Sequence, residues 1–355
     1  MKEGWKYQDF EKCLIKVSKQ KAVKSKDYLS EGRFPVVSQE SGLVSGYSND
    51  PDLLYKHQKP VVIFGDHTKN IKYVDFDFVV GADGVHILYP VDQILPKFLY
   101  YEICSIKLRS LGYARHYKLL KEKQIAYPPL SEQKRIVEFL DAGFAKIDAI
   151  KTNAERQLQA AKDLFQAALK EMLTPKDGWK EKTLPDISHN LDGKRIPVTQ
   201  NKRTAGIYPY YGASGIVDYV NDYIFDDTLL LISEDGANLL ARTTPIAFTI
   251  KGKNWVNNHA HVIKIEDDSL RRYVEYYFAN LNIEEYVTGA AQPKLTQKAL
   301  NRIRISIPND HSIINKIITA LDDIQMRTQQ LQSNYDKTLT LCNDLKQALL
   351  KSIFE

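Results

Sequence analysis

The chain has 355 residues, 43% of them hydrophobic, and a formal net charge of +5. That length suits two or three domains with cores of their own, and that hydrophobic share excludes wholesale disorder. The charge permits a nucleic-acid partner without demanding one, and no apolar run approaches the roughly 18 residues of a membrane span.

The N-terminus, Met1-Lys2-Glu3-Gly4-Trp5, has no apolar stretch behind a basic start, so no secretory signal is expected. Cys13, Cys104 and Cys342 are far apart, with no CxxC and no Cys/His cluster. They predict free thiols in a cytoplasmic protein rather than a disulfide framework or a zinc site. Lys12, Lys16, Lys19, Lys21, Lys24 and Lys26 crowd one early segment. Such a run is by default a solvated face, with phosphate contact as the alternative.

Residues 1–130 read as a β-rich domain with some helix. Val61-Val62-Ile63-Phe64 and Phe76 to Val80 are β-branched and aromatic runs bounded by Gly-Asp turns. Pro96 to Leu108 patterns as a short amphipathic helix. Pro128-Pro129 stops the chain, because neither residue donates a backbone N–H and each fixes φ.

Ser131 then reads as an N-cap, with Glu132 near the positive helix end. Apolar or small residues follow at Ile136, Leu140, Phe144, Ile147, Ile150, Ala154, Leu158, Ala161, Phe165, Ala168 and Met172. Their spacing averages about 3.6, one stripe along a helix over 131–175. At about 1.5 Å per residue it spans on the order of 60 Å. Thr174-Pro175 and Asp177-Gly178 end it.

Residues 176–309 read as a second β-rich domain, in which Thr228 to Ile232 is a buried strand. Pro308 stops it, and Asn309 or Asp310 caps the next helix over 310–355. Ile314, Ile318, Leu321, Ile324, Thr328, Leu331, Tyr335, Leu339, Cys342, Leu345 or Lys346, Leu349 and Ile353 trace its stripe. Two stripes of equal length in one chain predict that the helices pack on each other, and pseudo-twofold symmetry favours an antiparallel pair.

The two halves repeat. Gly4-Trp5-Lys6 recurs as Gly178-Trp179-Lys180, Phe34-Pro35 as Tyr208-Pro209, and Ser41-Gly42-Leu43-Val44 as Ser214-Gly215-Ile216-Val217. Tyr100-Tyr101 recurs as Tyr276-Tyr277 and Leu140-Asp141 as Leu321-Asp322. The expected fold is therefore α+β: two pseudo-repeated β-rich domains separated by two long antiparallel coiled-coil helices.

Catalytic signatures are missing. No GxGxxG, no P-loop and no Asn/Asp-Pro-Pro-aromatic motif occurs. Asp75 and Asp77 share a strand face without a partnered E-x-K and read as edge charges. His259 and His261, two apart, make a poor metal site without a third ligand, so no metal is expected.

The run Tyr127-Pro128-Pro129-Leu130-Ser131-Glu132-Gln133-Lys134-Arg135-Ile136-Val137 closes the first domain. The second carries Tyr208-Pro209-Tyr210-Tyr211-Gly212-Ala213-Ser214-Gly215, then Trp255-Val256-Asn257-Asn258-His259-Ala260-His261-Val262, then Gly289-Ala290-Ala291-Gln292-Pro293-Lys294-Leu295. In this order they resemble the specificity subunits of type I restriction–modification systems, over essentially the whole chain. One departure is Pro308-Asn309-Asp310-His311-Ser312 at the second helix, which lacks the Glu-Gln-Lys-Arg of the first.

The resemblance implies two target-recognition domains, each reading half of a bipartite DNA site, with the coiled coil setting the gap. It implies a non-catalytic, cytoplasmic subunit that recruits two adenine methyltransferase subunits and optionally restriction/translocase subunits. S-adenosylmethionine would belong to the methyltransferase, ATP and Mg to the restriction subunit, and no cofactor to this chain. A two-headed protein- or ligand-binding module without DNA is the alternative.

Candidate DNA contacts follow from side-chain chemistry. Gly112 to Lys118 aligns with Gly289 to Lys294, both polar loops before the last strand of a domain. Arg115 suits a guanine edge and Gln292 an adenine edge. Lys118 and Lys294 suit phosphates, with His116 and Tyr117 beside them. Ser38, Gln39 and Ser41, paired with Tyr211 and Ser214, form a second loop. Arg242 is a third candidate. Asn257 or Asn258 suits an adenine, His259 a phosphate or base, and Lys69 completes the set.

Overall fold

The computed structural model describes residues 2–82, 84–112, 114–289 and 291–355. Tyr113 and Ala290, which fall in the loop motifs above, lie outside the described residues, as does Asp83. The chain divides into two compact units, residues 1–154 with 336–355 and residues 155–335. The division falls inside both long helices rather than at their ends.

The first unit contains β1 (Lys6–Asp9), β2 (Leu14–Ile15), β3 (Phe34–Val37), β4 (Gly46–Ser48) and β5 (Leu54–Tyr55). It continues with β6 (Val61–Gly65), β7 (Ile71–Val74), β8 (Phe78–Val80) and β9 (Val85–Pro90). Helices α1 (Pro96–Ser105) and α2 (Tyr117–Lys121) precede β10 (Gln124–Tyr127), and α3 (Leu130–Leu173) follows. The strands form sheets of order β2-β9-β6-β7 and β4-β3-β8-β5 and the pair β1-β10.

The second unit holds β11 (Trp179–Thr183), α4 (Leu184–Ile187), β12 (His189–Asn190), β13 (Ala205–Gly212), β14 (Gly215–Val220) and β15 (Phe225–Asp226). Then come β16 (Leu229–Ser233), α5 (Asn238–Ala241), β17 (Ala247–Ile250), β18 (Lys253–Val256) and β19 (Ala260–Lys264). Finally α6 (Asp268–Asn280), α7 (Gln297–Leu300), β20 (Arg304–Pro308) and α8 (His311–Phe354) complete the chain. The sheet orders are β12-β19-β16-β17, β14-β13-β18-β15 and β11-β20, the same plan strand for strand.

The central strand of each unit shows why its sequence is apolar throughout. Successive side chains leave opposite faces of a strand. On β6, Val62 and Phe64 join the core with α1, while Val61 and Ile63 join a second core with Val37, Phe78 and Val80. On β16, Leu230 and Ile232 face the helical core, and Leu229 and Leu231 the other. A strand covered on both faces has no polar positions to alternate. Each such side chain contributes about 1.5–3 kcal/mol of burial.

The repeated residues do equivalent work. Gly4 and Gly178 take φ of +77° and +81°, which favours glycine, in the turn before the edge strand. Trp5 and Trp179 then pack on Phe98 and Tyr273. The Tyr101 hydroxyl donates to Asp141 and the Tyr276 hydroxyl to Asp322, tying the short helix of each unit to its long one. Tyr101 therefore corresponds to Tyr276 and not, as the match of the two tyrosine pairs has it, to Tyr277.

Within each unit the long helices run antiparallel. In the first, Ile147 meets Cys342, Asp148 pairs with Lys346 at 2.6 Å, and Leu349 lies over Gly143. In the second, Thr328 lies against Ala161, while Phe165, Ala168 and Leu169 share a core with Ile324, Leu321, Ile317 and Ile314.

The helix starts correct one expectation. α3 begins at Leu130, and its first amides, of Glu132 and Gln133, bond to Pro129 O, so Ser131 is not the cap. Gln133 is fully buried instead, accepting from Leu95 N and donating to Gln93 O and Pro128 O, each at 2.8 Å. At α8 the Asp310 carboxylate accepts from Ser312 N at 2.8 Å, and the counterpart of Gln133 is the apolar Ile314. Among the described residues no helix is long and apolar enough to cross a membrane.

Candidate nucleic-acid interface

In each unit four loops meet at one end of the sheets, around the residue that leaves the central strand. In the first unit this residue is Asp66. Its amide donates to Gly84 O at 2.7 Å, and its carbonyl accepts from His116 N at 2.9 Å. Its carboxylate accepts from Tyr117 N at 2.8 Å and meets His86 Nε2 at 3.2 Å. The His86 ring stacks on Tyr117 at 3.8 Å. Burial acts first to raise this carboxyl, but the Tyr117 amide and His86 hold it below the usual range.

The loop after β3 joins the group through Gln39. Its side chain accepts from His67 N at 3.1 Å, and its carbonyl accepts from Thr68 Oγ1 and Asn70 Nδ2 at 2.6 and 2.9 Å. Lys72, only 6% exposed, closes the same loop from below. Its ammonium donates to Ser38 O at 2.7 Å and to Gly42 O, and burial pulls it below the usual lysine range.

Lys72→Met is therefore expected to free the 38–42 loop. Charged hydrogen bonds contribute about 1.5–3 kcal/mol, so amide exchange at Glu40 to Val44 should rise at least about tenfold while the second unit is unchanged. Unaltered exchange in this loop would show that Lys72 does not hold it.

The second unit repeats the arrangement with Glu234. Its amide donates to His259 O and its carbonyl accepts from Leu295 N. Gly236 N donates to Pro293 O, Asn257 N to Tyr211 O, and the Ser233 hydroxyl to Ala213 O. Beneath lies a buried charge cluster. Arg195 meets Glu234 at 2.7 Å and Asp192 at 3.5 Å, His261 meets Asp192 at 2.6 Å, and Lys294 meets Glu234 at 3.2 Å. Asp192, Glu234 and His261 have ligand atoms within 4.8 Å of one another, the one such trio among the described residues. The Arg195 guanidinium already supplies the cation this trio calls for, so the cluster reads as a structural ion-pair network.

The shared bonds set a register between the loops. Since His116 N and Leu295 N occupy the same carbonyl position, Arg115 corresponds to Lys294. This corrects the alignment of Arg115 with Gln292. The second loop carries two more residues between its glycine and this anchor, a difference the glycine match concealed.

The structure brings together Ser38, Gln39, Ser41, Lys69, Arg115, His116, Tyr117 and Lys118 in the first unit. It brings together Tyr211, Ser214, Asn257, Asn258, His259, Gln292 and Lys294 in the second. Ser41, Arg115, Lys118, Ser214, Asn258, His259, Gln292 and Lys294 are exposed. Ser38, His116 and Asn257 are buried and shape the loops. Ser38 bonds Ser45, His116 accepts from Leu111 N, and the Asn257 side chain accepts from His259 N. His259 also meets Asp235 at 2.9 Å.

Arg242 does not join this group. Its guanidinium donates to the carbonyls of Phe278 and Leu281, at the C-terminal end of α6, and of Leu239 on α5. Asp66, Asp235, Glu234 and Asp192 are not among the candidate contacts named from the sequence, although the segments 64–68 and 232–236 match between the halves. The signal available was an acidic residue directly after each uniformly apolar strand.

A family model described as the type I restriction modification DNA specificity domain matches residues 10–160 and 176–347. A provisionally named type I restriction enzyme specificity subunit of Haemophilus influenzae is 34% identical over 149 residues, 42% of this chain and 38% of that protein. The chain therefore spans well under half of that relative. A type I restriction enzyme specificity subunit of Escherichia coli is 23% identical over 90% of this chain and 86% of its own length. Among solved structures, a chain from a study of complex assembly and conformational transition in the type I R-M system superposes with TM-score 0.74, at 18% identity, covering 100% of this chain and 98% of that one. The HsdS subunit of Thermoanaerobacter tengcongensis does so with TM-score 0.53, at 19% identity, covering 100% and 97%.

Proposed function

This chain belongs to the type I restriction–modification DNA specificity family, and from that premise we propose that it reads a bipartite duplex site, one half per unit. The observation that carries the reading is the loop edge. Both units build it from the same strands around the same carbonyl and amide positions, yet the side chains on it differ. One edge offers Arg115, Lys118 and Ser41, and the other offers Lys294, Gln292, Asn258 and Ser214. Arginine favours guanine and asparagine or glutamine adenine in the major groove, so such edges suit different half-sites.

The chain itself performs no chemistry in this reading. Two methyltransferase subunits would bring S-adenosylmethionine and the pocket for a flipped adenine, and restriction/translocase subunits would bring ATP and Mg. The paired helices would set the gap between half-sites, near one helical turn of about 34 Å. Cytoplasmic residence goes with the DNA partner.

The test is a matched insertion. Four residues placed in α3 between 151 and 158, with four in α8 between 331 and 338, keep the antiparallel contacts in both units. The pair lengthens by about one turn, ~5.4 Å. Methylome sequencing in a host carrying the system should then show a spacer longer by one or two base pairs with unchanged half-sites. Changed half-sites, or an unchanged spacer, would overturn the reading.

A further inference from the structure

We propose that the lysine segment Lys16 to Lys26 is a sequence-independent phosphate grip, which makes the first unit the electrostatic anchor on duplex DNA. This rests on the DNA-reading function proposed above and adds a binding segment outside the loop edge.

The segment connects β2 to β3. From Leu14 to Lys26 it carries Lys16, Lys19, Lys21, Lys24 and Lys26 and no acidic residue. All five are exposed, and among the described residues none of their ammonium groups has an ion-pair or hydrogen-bond partner. Free ammonium groups in such number, with no acid to hold them, are a polyanion surface.

The backbone fixes where that surface points. Val23 N donates to Val80 O at 2.9 Å, and Ala82 N donates to Val23 O at 2.7 Å. Val23 thus forms a parallel bridge with Gly81, at the start of the loop that leads to His86. Lys21 and Lys24 leave the chain within two residues of this anchor, and Gly81 lies against Ser38, the residue before Gln39 on the loop edge. Lysines beside a base-reading edge fall where the phosphates of the read groove run.

The equivalent connection of the second unit, from β12 to β13, is built differently. Its cations are Lys194, Arg195, Lys202 and Arg203. Arg195 is committed to Asp192 and Glu234, and Arg203 to Asp218 at 3.2 Å. Two of its four cations are thereby neutralised inside the protein. The repeat has kept the connection and divided its charges between holding the fold and meeting a polyanion.

The test is the salt dependence of binding by the purified full chain to an unrelated duplex. Each phosphate contact contributes about 0.9 to the slope of log K against log salt. The variant carrying Lys19→Ala, Lys21→Ala, Lys24→Ala and Lys26→Ala should lose about 3 from that slope. A control carrying Lys162→Ala, Lys170→Ala, Lys316→Ala and Lys337→Ala has the same net charge, from exposed positions on the long helices. It should lose less than about 1. Equal losses in both variants, or no loss in the first, would overturn the grip while leaving the DNA-reading function intact. Absence of salt-dependent binding by the unaltered chain would overturn that function and the grip with it.

Discussion

Arg195→Met is expected to destabilise the second unit by about 3–5 kcal/mol, the range for removing one partner of a buried ion pair. Arg195, Glu234 and Asp192 side chains are only 13%, 12% and 7% exposed. Besides the two carboxylates, the guanidinium donates to Ala260 O and Asp192 O at 2.7 and 3.1 Å. Methionine fills similar volume and replaces none of this. For a unit of this size each kcal/mol shifts Tm by about 2–4 °C, so its melting should fall by roughly 10 °C.

The pH dependence separates charge from packing. Burial acts first to raise both carboxyls. His261, the Val262 amide and Arg195 outweigh it at Asp192, and Arg195, His261 and Lys294 do so at Glu234, leaving both below the usual range. A depressed folded pKa gives stabilisation that is complete above about pH 4 and lost as pH falls through the folded value. The gap between native and variant chains should therefore be full near pH 7 and narrow only below about pH 4, as pH falls through the folded values. A gap that ignores pH would reduce Arg195 to a packing role. Because Glu234 O holds Leu295 N, binding to one half-site should weaken before the other.

How legible this molecule was depends on the kind of contact. The long helices could be read because stripes such as Ile136 to Met172 follow one period. The repeat could be read because Trp5, Tyr101 and Asp141 do local work that needs the same residue twice. The loop edges could not be read at this level. Asp66 and Glu234 act mainly through backbone amides and carbonyls, which any sequence supplies. The register of Arg115 with Lys294 depends on a two-residue difference in loop length that a matching glycine hides. Arg242 was misjudged for a related reason: an arginine between Leu240 and Thr243 looks the same in sequence whether it faces solvent or three carbonyls.

Glu102→Gln should turn a falling stability–pH profile of the first unit into a nearly flat one between pH 5 and 8. Glu102 lies on α1 and is 5% exposed. One carboxyl oxygen accepts from Ala126 N at 2.6 Å, and the other has no partner among the described residues. Burial pushes this carboxyl up to about 8, only partly offset by the Ala126 amide and Lys2. The folded chain then holds a proton that the unfolded chain releases near pH 4.3, so stability falls as pH rises through this window. At about 1.4 kcal/mol per pH unit the loss is on the order of 4 kcal/mol by pH 8. Glutamine keeps the acceptor for Ala126 and never ionises. Its advantage should be nearly absent at pH 4.5 and largest at pH 8, read as unit-resolved hydrogen exchange. Parallel profiles for native and variant chains would mean that Glu102 is ionised in the fold.

The second unit has no carboxyl at the position of Glu102. There the residue after Tyr276 is Tyr277, whose hydroxyl reaches β20 at Arg304 O without a carboxyl. Ala126 sits on β10, which runs through Pro128-Pro129 straight into α3. The protonation of Glu102 therefore bears on how firmly the strand that leads into α3 is held to α1.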